Sequence, residues 1–149
     1  MDIQNKVNVK IIADHQDFIP KYQTQGSACA DLMCNLSIDY QIIHPNELVV
    51  LDCGFSMEMP YGWEAQIRPR SGLSLKGLSV VNSPGIIDSD YRGRIKVALK
   101  NISEDKIIIQ NKQRIAQISI HSVTQFNWIE TDTINMTSRG SGGFGSTGQ

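Results

Sequence analysis

The chain has 149 residues, enough for one domain with its own core and too few for two. Hydrophobic residues make up 40% of it and charged residues 19%, which argues against a disordered, collagen-like or coiled-coil chain. Lys and Arg number 14 against 15 Asp and Glu, a net charge of −1, so the basic excess that holds long nucleic acids is missing, whereas a small anion gripped by a few local donors is not excluded.

No run approaches the roughly 18 apolar residues of a membrane helix. The start, Met1 to Val7, lacks the apolar core of a secretion signal. Cys29, Cys34 and Cys53 are odd in number and have no two-residue spacing. Both facts disfavour a zinc site or a disulfide framework and point to a reducing cytoplasm. Triplets of the glycosylation type begin at Asn35, Asn101 and Asn135 and are read as coincidence.

In chain order, Val7, Val9 and Ile11 alternate with Asn8 and Lys10, the period of a strand with one buried face. A short helix is expected near Ser71 to Lys76, stopped by Gly77. Ile95, Val97 and Leu99 alternate with Arg94, Lys96, Ala98 and Lys100. Ile107 to Ile109 reads as a short buried run, and Ile115, Ile118 and Ile120 follow in another. Turn residues separate these segments at Pro20, His44-Pro45-Asn46, Pro60-Tyr61-Gly62, Ser83-Pro84-Gly85 and Glu104-Asp105. Many short strands with frequent turns predict an all-β sandwich, jelly roll or barrel. Beyond it, residues 135–149 are rich in Ser, Thr and Gly and are expected to form a mobile arm, leaving residues 1–134 as the β-rich domain.

Two nucleotide motifs appear by spacing alone. Gly72 to Gly77 resembles a phosphate-binding loop, but Leu78 stands where its Lys belongs. Gly140, Gly142 and Gly145 match a dinucleotide fingerprint, yet too few residues follow to build its helix. Neither is retained. Arg68-Pro69-Arg70-Ser71-Gly72-Leu73-Ser74 offers guanidiniums, hydroxyls and amides suited to a phosphate, or else a solvated loop with surface ion pairs. Gly85 to Gly93 reads as a tight hairpin in which Asp88, preceded by two Ile, is partly buried. Such a carboxylate can act as a general base or simply satisfy turn amides. Phe144, alone in a polar Gly-rich stretch, can cover a flat base or sit in a plain linker.

Taken together and in order, these segments resemble the trimeric deoxyuridine triphosphatase (dUTPase) family. The five stretches are Ala28-Cys29-Ala30-Asp31-Leu32, Pro69 to Leu73, Gly85 to Gly93 with Asn82 ahead, Arg114-Ile115-Ala116-Gln117, and Arg139 to Gly148. The resemblance implies an all-β, distorted jelly-roll-like barrel that forms a homotrimer with active sites at subunit junctions. It implies hydrolysis of dUTP to dUMP and pyrophosphate, with Mg²⁺ carried by the triphosphate. That reaction limits uracil incorporation into DNA and supplies dUMP for thymidylate synthesis.

By the same resemblance, Asp88 activates the water that attacks the α-phosphorus. Tyr91 packs on the deoxyribose, where a 2′-hydroxyl has no room. Asn82 and the backbone around Gly85, Ile86, Ile87 and Lys96 read the uracil edge. Arg70, Ser71, Gly72 and Gln117 hold the phosphates, while Arg139, Ser146 and Thr147 close over them and Phe144 covers the base. Asp31 reaches the metal through water. Two positions depart from the family pattern: Cys29 stands where Gly is usual, and Lys112-Gln113 replaces a Gly-acidic pair. The related deoxycytidine triphosphate deaminases use a Glu where this chain has Ala98, which cannot shuttle protons to an exocyclic amine. A catalytically silent relative that binds nucleotide or a protein partner as a regulator could lose Asp88 or the tail, and this chain retains both.

Overall fold

Alternation of buried and exposed residues organises nearly every strand in the computed structural model, which describes residues 6–145. The strands run β1 Lys10–Ala13, β2 Ala30–Met33, β3 Tyr40–Ile43, β4 Leu48–Glu58 and β5 Trp63–Arg68. The short helix α1 Ser71–Ser74 follows, then β6 Leu78–Val80, β7 Gly85–Ile87, β8 Arg94–Asn101, β9 Ile107–Gln110 and β10 Arg114–Ser122. One four-stranded sheet has the order β1-β4-β8-β6, a second the order β2-β10-β5-β7, and β3 pairs with β9. All pairings are antiparallel. The result is the expected jelly-roll-like β architecture, distorted in that its sheets keep free edges rather than closing.

The core contains the inward residues of these strands: Leu51, Cys53, Phe55 and Met57 of β4, Ile95, Val97 and Leu99 of β8, and Ile115 and Ile118 of β10. Each fully buried Val, Leu, Ile or Phe contributes roughly 1.5–3 kcal/mol of transfer free energy. Asn101 and Ser119 are the buried polar residues among those described, and Asn101 is the more deeply enclosed. Its amide donates to the carbonyls of Ile43 (2.9 Å) and Asp105 (2.7 Å), and its oxygen accepts from the Ser103 amide and hydroxyl. A side chain so enclosed cannot serve as a glycan acceptor.

Some expectations change in the fold. The first strand begins at Lys10, although Val7 and Val9 keep the half-buried alternation. Ile107 to Ile109 is not a buried run, because β9 pairs only with β3 and turns Ile108 to solvent while Ile109 enters the core. Near the start of β10 a register shift between Arg114 and Ala116 lets consecutive Ile115 and Ala116 both face inward. The predicted helix is present, with a turn carrying the chain to Gly77 at φ +86°. A Cβ there would lie 2.6 Å from that of Ser103, so both the backbone and the space require Gly.

Gly85 to Gly93 is not a hairpin. β7 is an edge strand on β5 in one sheet, whereas β8 lies between β4 and β6 in the other, so residues 88–93 form a corner between sheets. The turn residues were read correctly, but local sequence does not say which distant strand each arm joins.

Three surface carboxylates fasten these segments. Asp14, Asp17 and Glu58 are each held below their ordinary pKa, foremost by side-chain hydrogen bonds from Arg94, Lys112 and Lys10 respectively. Their stabilisation is complete above the unfolded values of 3.8 and 4.5 and is lost as pH falls through the lowered folded values. The melting temperature is therefore expected to hold from neutral pH to about 5 and to fall below about 4. Lys112→Met should shrink that acid loss in a melting series across pH.

Candidate active site

The corner after β7 creates the first half of the site. The outer edge of β7 has no strand partner, and it lines a pocket of about 250 Å³ with Asn82, Asp88, Tyr91, Arg94, Lys96 and the apolar side of β8. That is just under the roughly 300–1,000 Å³ of a typical small-molecule site, room for a ring rather than a whole nucleotide. Unpaired backbone donors and acceptors at a strand edge can read the rim of a flat ring as another strand would.

Asn82 and Gly85 fit each other closely. A Cβ on Gly85 would come within 3.1 Å of Asn82 Nδ2, so the missing side chain lets the amide sit against the strand. The Tyr91 ring folds over Gly93, where a Cβ would clash, and its hydroxyl donates to the Arg94 carbonyl at 3.1 Å. Asp88 is exposed in the single chain, contrary to the expected partial burial, because it stands past the end of β7. Its carbonyl accepts from the Tyr91 amide at 3.1 Å, which shapes the turn. Ala98 lines the pocket and places no titratable group there.

The second half lies at the other edge of the same sheet. A groove there is lined by Ser27, Cys29, Asp31, Arg70, Ser71, Gly72, Lys76, Arg114 and Gln117, among others. Asp31 organises it: Oδ1 pairs with Arg70 Nε and Oδ2 with Arg114 Nη1, both at 3.0 Å. Arg70 Nη1 also donates to the Arg114 carbonyl at 3.2 Å, and Gln117 donates to the Pro69 carbonyl at 2.9 Å. Guanidiniums held in place this way present a fixed fork to a tetrahedral anion. Arg114 was not among the expected binding residues, and its place in the fourth stretch, beside Gln117, is the signal that could have found it.

Strand register separates the two halves. Asp31 of β2 faces Gln117 of β10, which faces Arg68 of β5. Ala65 faces Ile87, so Asp88 lies level with Glu64, four residues along from Arg68. Three strand spacings and four residue rises put Asp88 on the order of 20 Å from Asp31.

The chain after β10 contains no helix or strand over 123–145. Phe126, Trp128, Ile129, Ile134 and Met136 are all at least 70% exposed, with Phe126 and Trp128 in edge-to-face contact at 5.0 Å. Arg139 Nε donates to the Gly142 carbonyl at 2.9 Å, and Phe144 is fully exposed at φ +50°. Ser146 and Thr147 lie outside the described residues.

Among the described residues no group of three or more His, Cys, Asp or Glu could hold a metal ion. Asp31, committed through both oxygens to arginines, suits contact with a hydrated ion better than direct ligation. A Mg²⁺ carried by phosphate oxygens, keeping several waters, fits this donor set.

The dUTPase family profile matches residues 2–148. The chain belongs to the dUTPase family. It is 49% identical over 131 residues to the deoxyuridine 5′-triphosphate nucleotidohydrolase of Hydrogenobaculum sp., covering 87% of this chain and 90% of that one. Its counterpart from Nautilia profundicola is 46% identical over 145 residues, covering 97% and 99%. In fold, the chain is similar to a variant dUTPase of Staphylococcus bacteriophage 80alpha, solved with dUpNHpp: TM-score 0.83 at 19% identity, covering 95% and 99%.

Against the dUTPase pattern, the two departures differ in kind. Cys29 has no positive φ, so Gly is not needed there for backbone reasons. Lys112 has φ 62°, the left-handed conformation a Gly adopts freely. The turn is kept in spite of its side chain, which pairs with Asp17 at 2.7 Å.

Proposed function

We propose that this chain hydrolyses dUTP to dUMP and pyrophosphate at sites shared between the copies of a homotrimer. Uracil enters the pocket at the β7 edge, with Asn82 and the backbone of Gly85, Ile86, Ile87 and Lys96 around its rim. A thymine methyl finds no room, and cytosine reverses donor and acceptor so that buried groups stay unpaired. Tyr91 lies against the deoxyribose.

Arg70, Ser71, Gly72 and Gln117 hold the phosphates, with Arg114 added to the expected set. Asp88 accepts a proton from water as its oxygen bonds the α-phosphorus. The bond from that phosphorus to the bridging oxygen breaks, and pyrophosphate leaves. Positioning and charge stabilisation carry such a reaction without a covalent intermediate. Asp31 would hold a Mg²⁺ carried by the triphosphate through water, and the ion would supply neutralisation of the phosphate charge. Residues 135–149 form the arm: Arg139, Ser146 and Thr147 close on the phosphates and Phe144 on the base, excluding bulk water.

The separation of the two halves across one sheet carries this reading. Asp88 and Asp31 stand at opposite edges of one sheet, which supports a site in which the groove of one copy faces Asp88 of another. The exposed apolar side chains at 126–136 favour an arm laid across a neighbour. Three unpaired cysteines fit residence in the cytoplasm.

Incubation with dUTP, dTTP, dCTP and UTP tests it. Formation of dUMP and pyrophosphate from dUTP is expected, with the other three about 10²-fold slower or worse. Equal cleavage of all four, or conversion of dCTP to a uracil product, would overturn the reading.

A further inference from the structure

Arg94, the first residue of β8, stands where the 88–93 corner joins the first sheet. Its guanidinium spans two carboxylates. Nε and Nη2 donate to Asp52 at 3.0 and 2.8 Å, Nη1 donates to Asp14 at 2.8 Å, and Nη2 also reaches Asp14. Four of the five N–H groups of an arginine are thereby committed, so this one is a poor candidate to bind substrate. Asp14 and Asp52 are themselves held. Asn35 donates to Asp14 at 2.8 Å, and Asp52 accepts the Gly54 amide at 2.6 Å within the β4 bulge. The side chain thus ties the start of β8 to the end of β1, the bulge of β4 and the chain after β2.

What Arg94 holds is its own carbonyl, the acceptor of the Tyr91 hydroxyl. The ring lies over Gly93, where the absent side chain leaves it room, and this hydrogen bond fixes its tip. Arg92 closes the remainder of the corner by donating to the carbonyls of Ser89 (2.6 Å) and Tyr91 (3.1 Å).

We propose that Arg94, clamped between Asp14 and Asp52, is a positioning residue that sets the tilt of Tyr91 and so the discrimination between deoxyribose and ribose. The proposal rests on the dUTPase reading of the pocket. Planar, two-point pairing on both sides fixes the guanidinium in rotation as well as position, which a lysine ammonium cannot do. Loosening the clamp lets the 88–93 corner shift, opening space beside the sugar while the arginine groove at the far edge of the sheet stays intact.

The test compares wild type with Arg94→Met, Arg94→Lys and Asp14→Asn. Asp14 is not among the residues lining the base pocket, so a change in substrate preference there reaches the pocket through a partner, of which Arg94 lines the pocket, rather than by direct contact. Kinetics on dUTP and UTP should show the ratio of their kcat/KM values falling about tenfold in Arg94→Met, less in Arg94→Lys, and in the same direction in Asp14→Asn. The shift should come mainly from a gain on UTP and a higher KM for dUTP, with kcat on dUTP less affected. If Arg94→Met does not fold, Asp14→Asn carries the comparison. Hydrogen exchange of the amides at 88–93, measured without nucleotide, should quicken in the variants while the core strands keep their protection.

Unchanged preference and unchanged exchange in folded variants overturn the proposal. So does a parallel loss on both nucleotides that tracks only the melting temperature. A wild type that does not hydrolyse dUTP overturns the functional reading instead, and the exchange measurement still decides whether Arg94 holds the corner.

Discussion

Asp88→Asn should lower the rate of dUTP hydrolysis about 10²–10⁴-fold, the usual worth of a general base. Affinity for a non-hydrolysable dUTP analogue should stay within about threefold of wild type, because the amide keeps the size of the side chain and removes a charge that repels the triphosphate. The split follows from the corner geometry. The backbone of residue 88 shapes the turn by accepting from Tyr91, and that bond does not depend on the side chain. Only proton acceptance is lost. Single-turnover rates and equilibrium binding, measured separately, check the two halves of the expectation, and near-normal turnover removes Asp88 as the base.

Mixing two inactive chains should restore activity. Chains with Asp88→Asn supply an intact arm, and chains truncated after Ser138 supply an intact Asp88. If a site takes these parts from different copies, random mixing leaves about a quarter of sites with both, the product of two independent halves. The truncated chain alone should assemble and hydrolyse dUTP poorly, since Arg139 and Phe144 are gone. Absence of rescue despite demonstrated exchange of subunits would mean that each site is built within one chain. The apolar side chains exposed at 126–136 argue for rescue, because they favour an arm laid across a neighbour.

Much of the fold was legible because it depends on period. Ile95, Val97 and Leu99 point inward as their alternation requires, and α1 starts at Ser71 as expected, although it ends at Ser74 and a turn carries the chain to Gly77. What escaped was pairing. Ile107 to Ile109 reads as buried until β9 proves to have a strand on one side only. Gly85 to Gly93 reads as a hairpin until β7 and β8 prove to belong to different sheets.

The site shows the same division. Arg70, Ser71, Gly72, Asp31 and Gln117 converge on one groove, and Asn82, Gly85, Ile86, Ile87, Asp88, Tyr91 and Lys96 on one pocket. The resemblance of the five stretches to the dUTPase family singled these out. Arg94 was invisible, since a charged residue opening an alternating strand reads as solvent-facing. Only the bulge of β4 and the turn after β1 bring Asp52 and Asp14 to it.

If the chain assembles as proposed, the greasy stretch beyond β10 makes the separated subunit a different physical object from the assembled one. Phe126, Trp128, Ile129, Ile134 and Met136 are exposed in the single chain, and a neighbour laid against them would shelter them. In the shared-site arrangement, mass action links their shelter, the melting temperature and catalysis to the amount of protein present. Dilution should therefore cost specific activity long before any subunit unfolds.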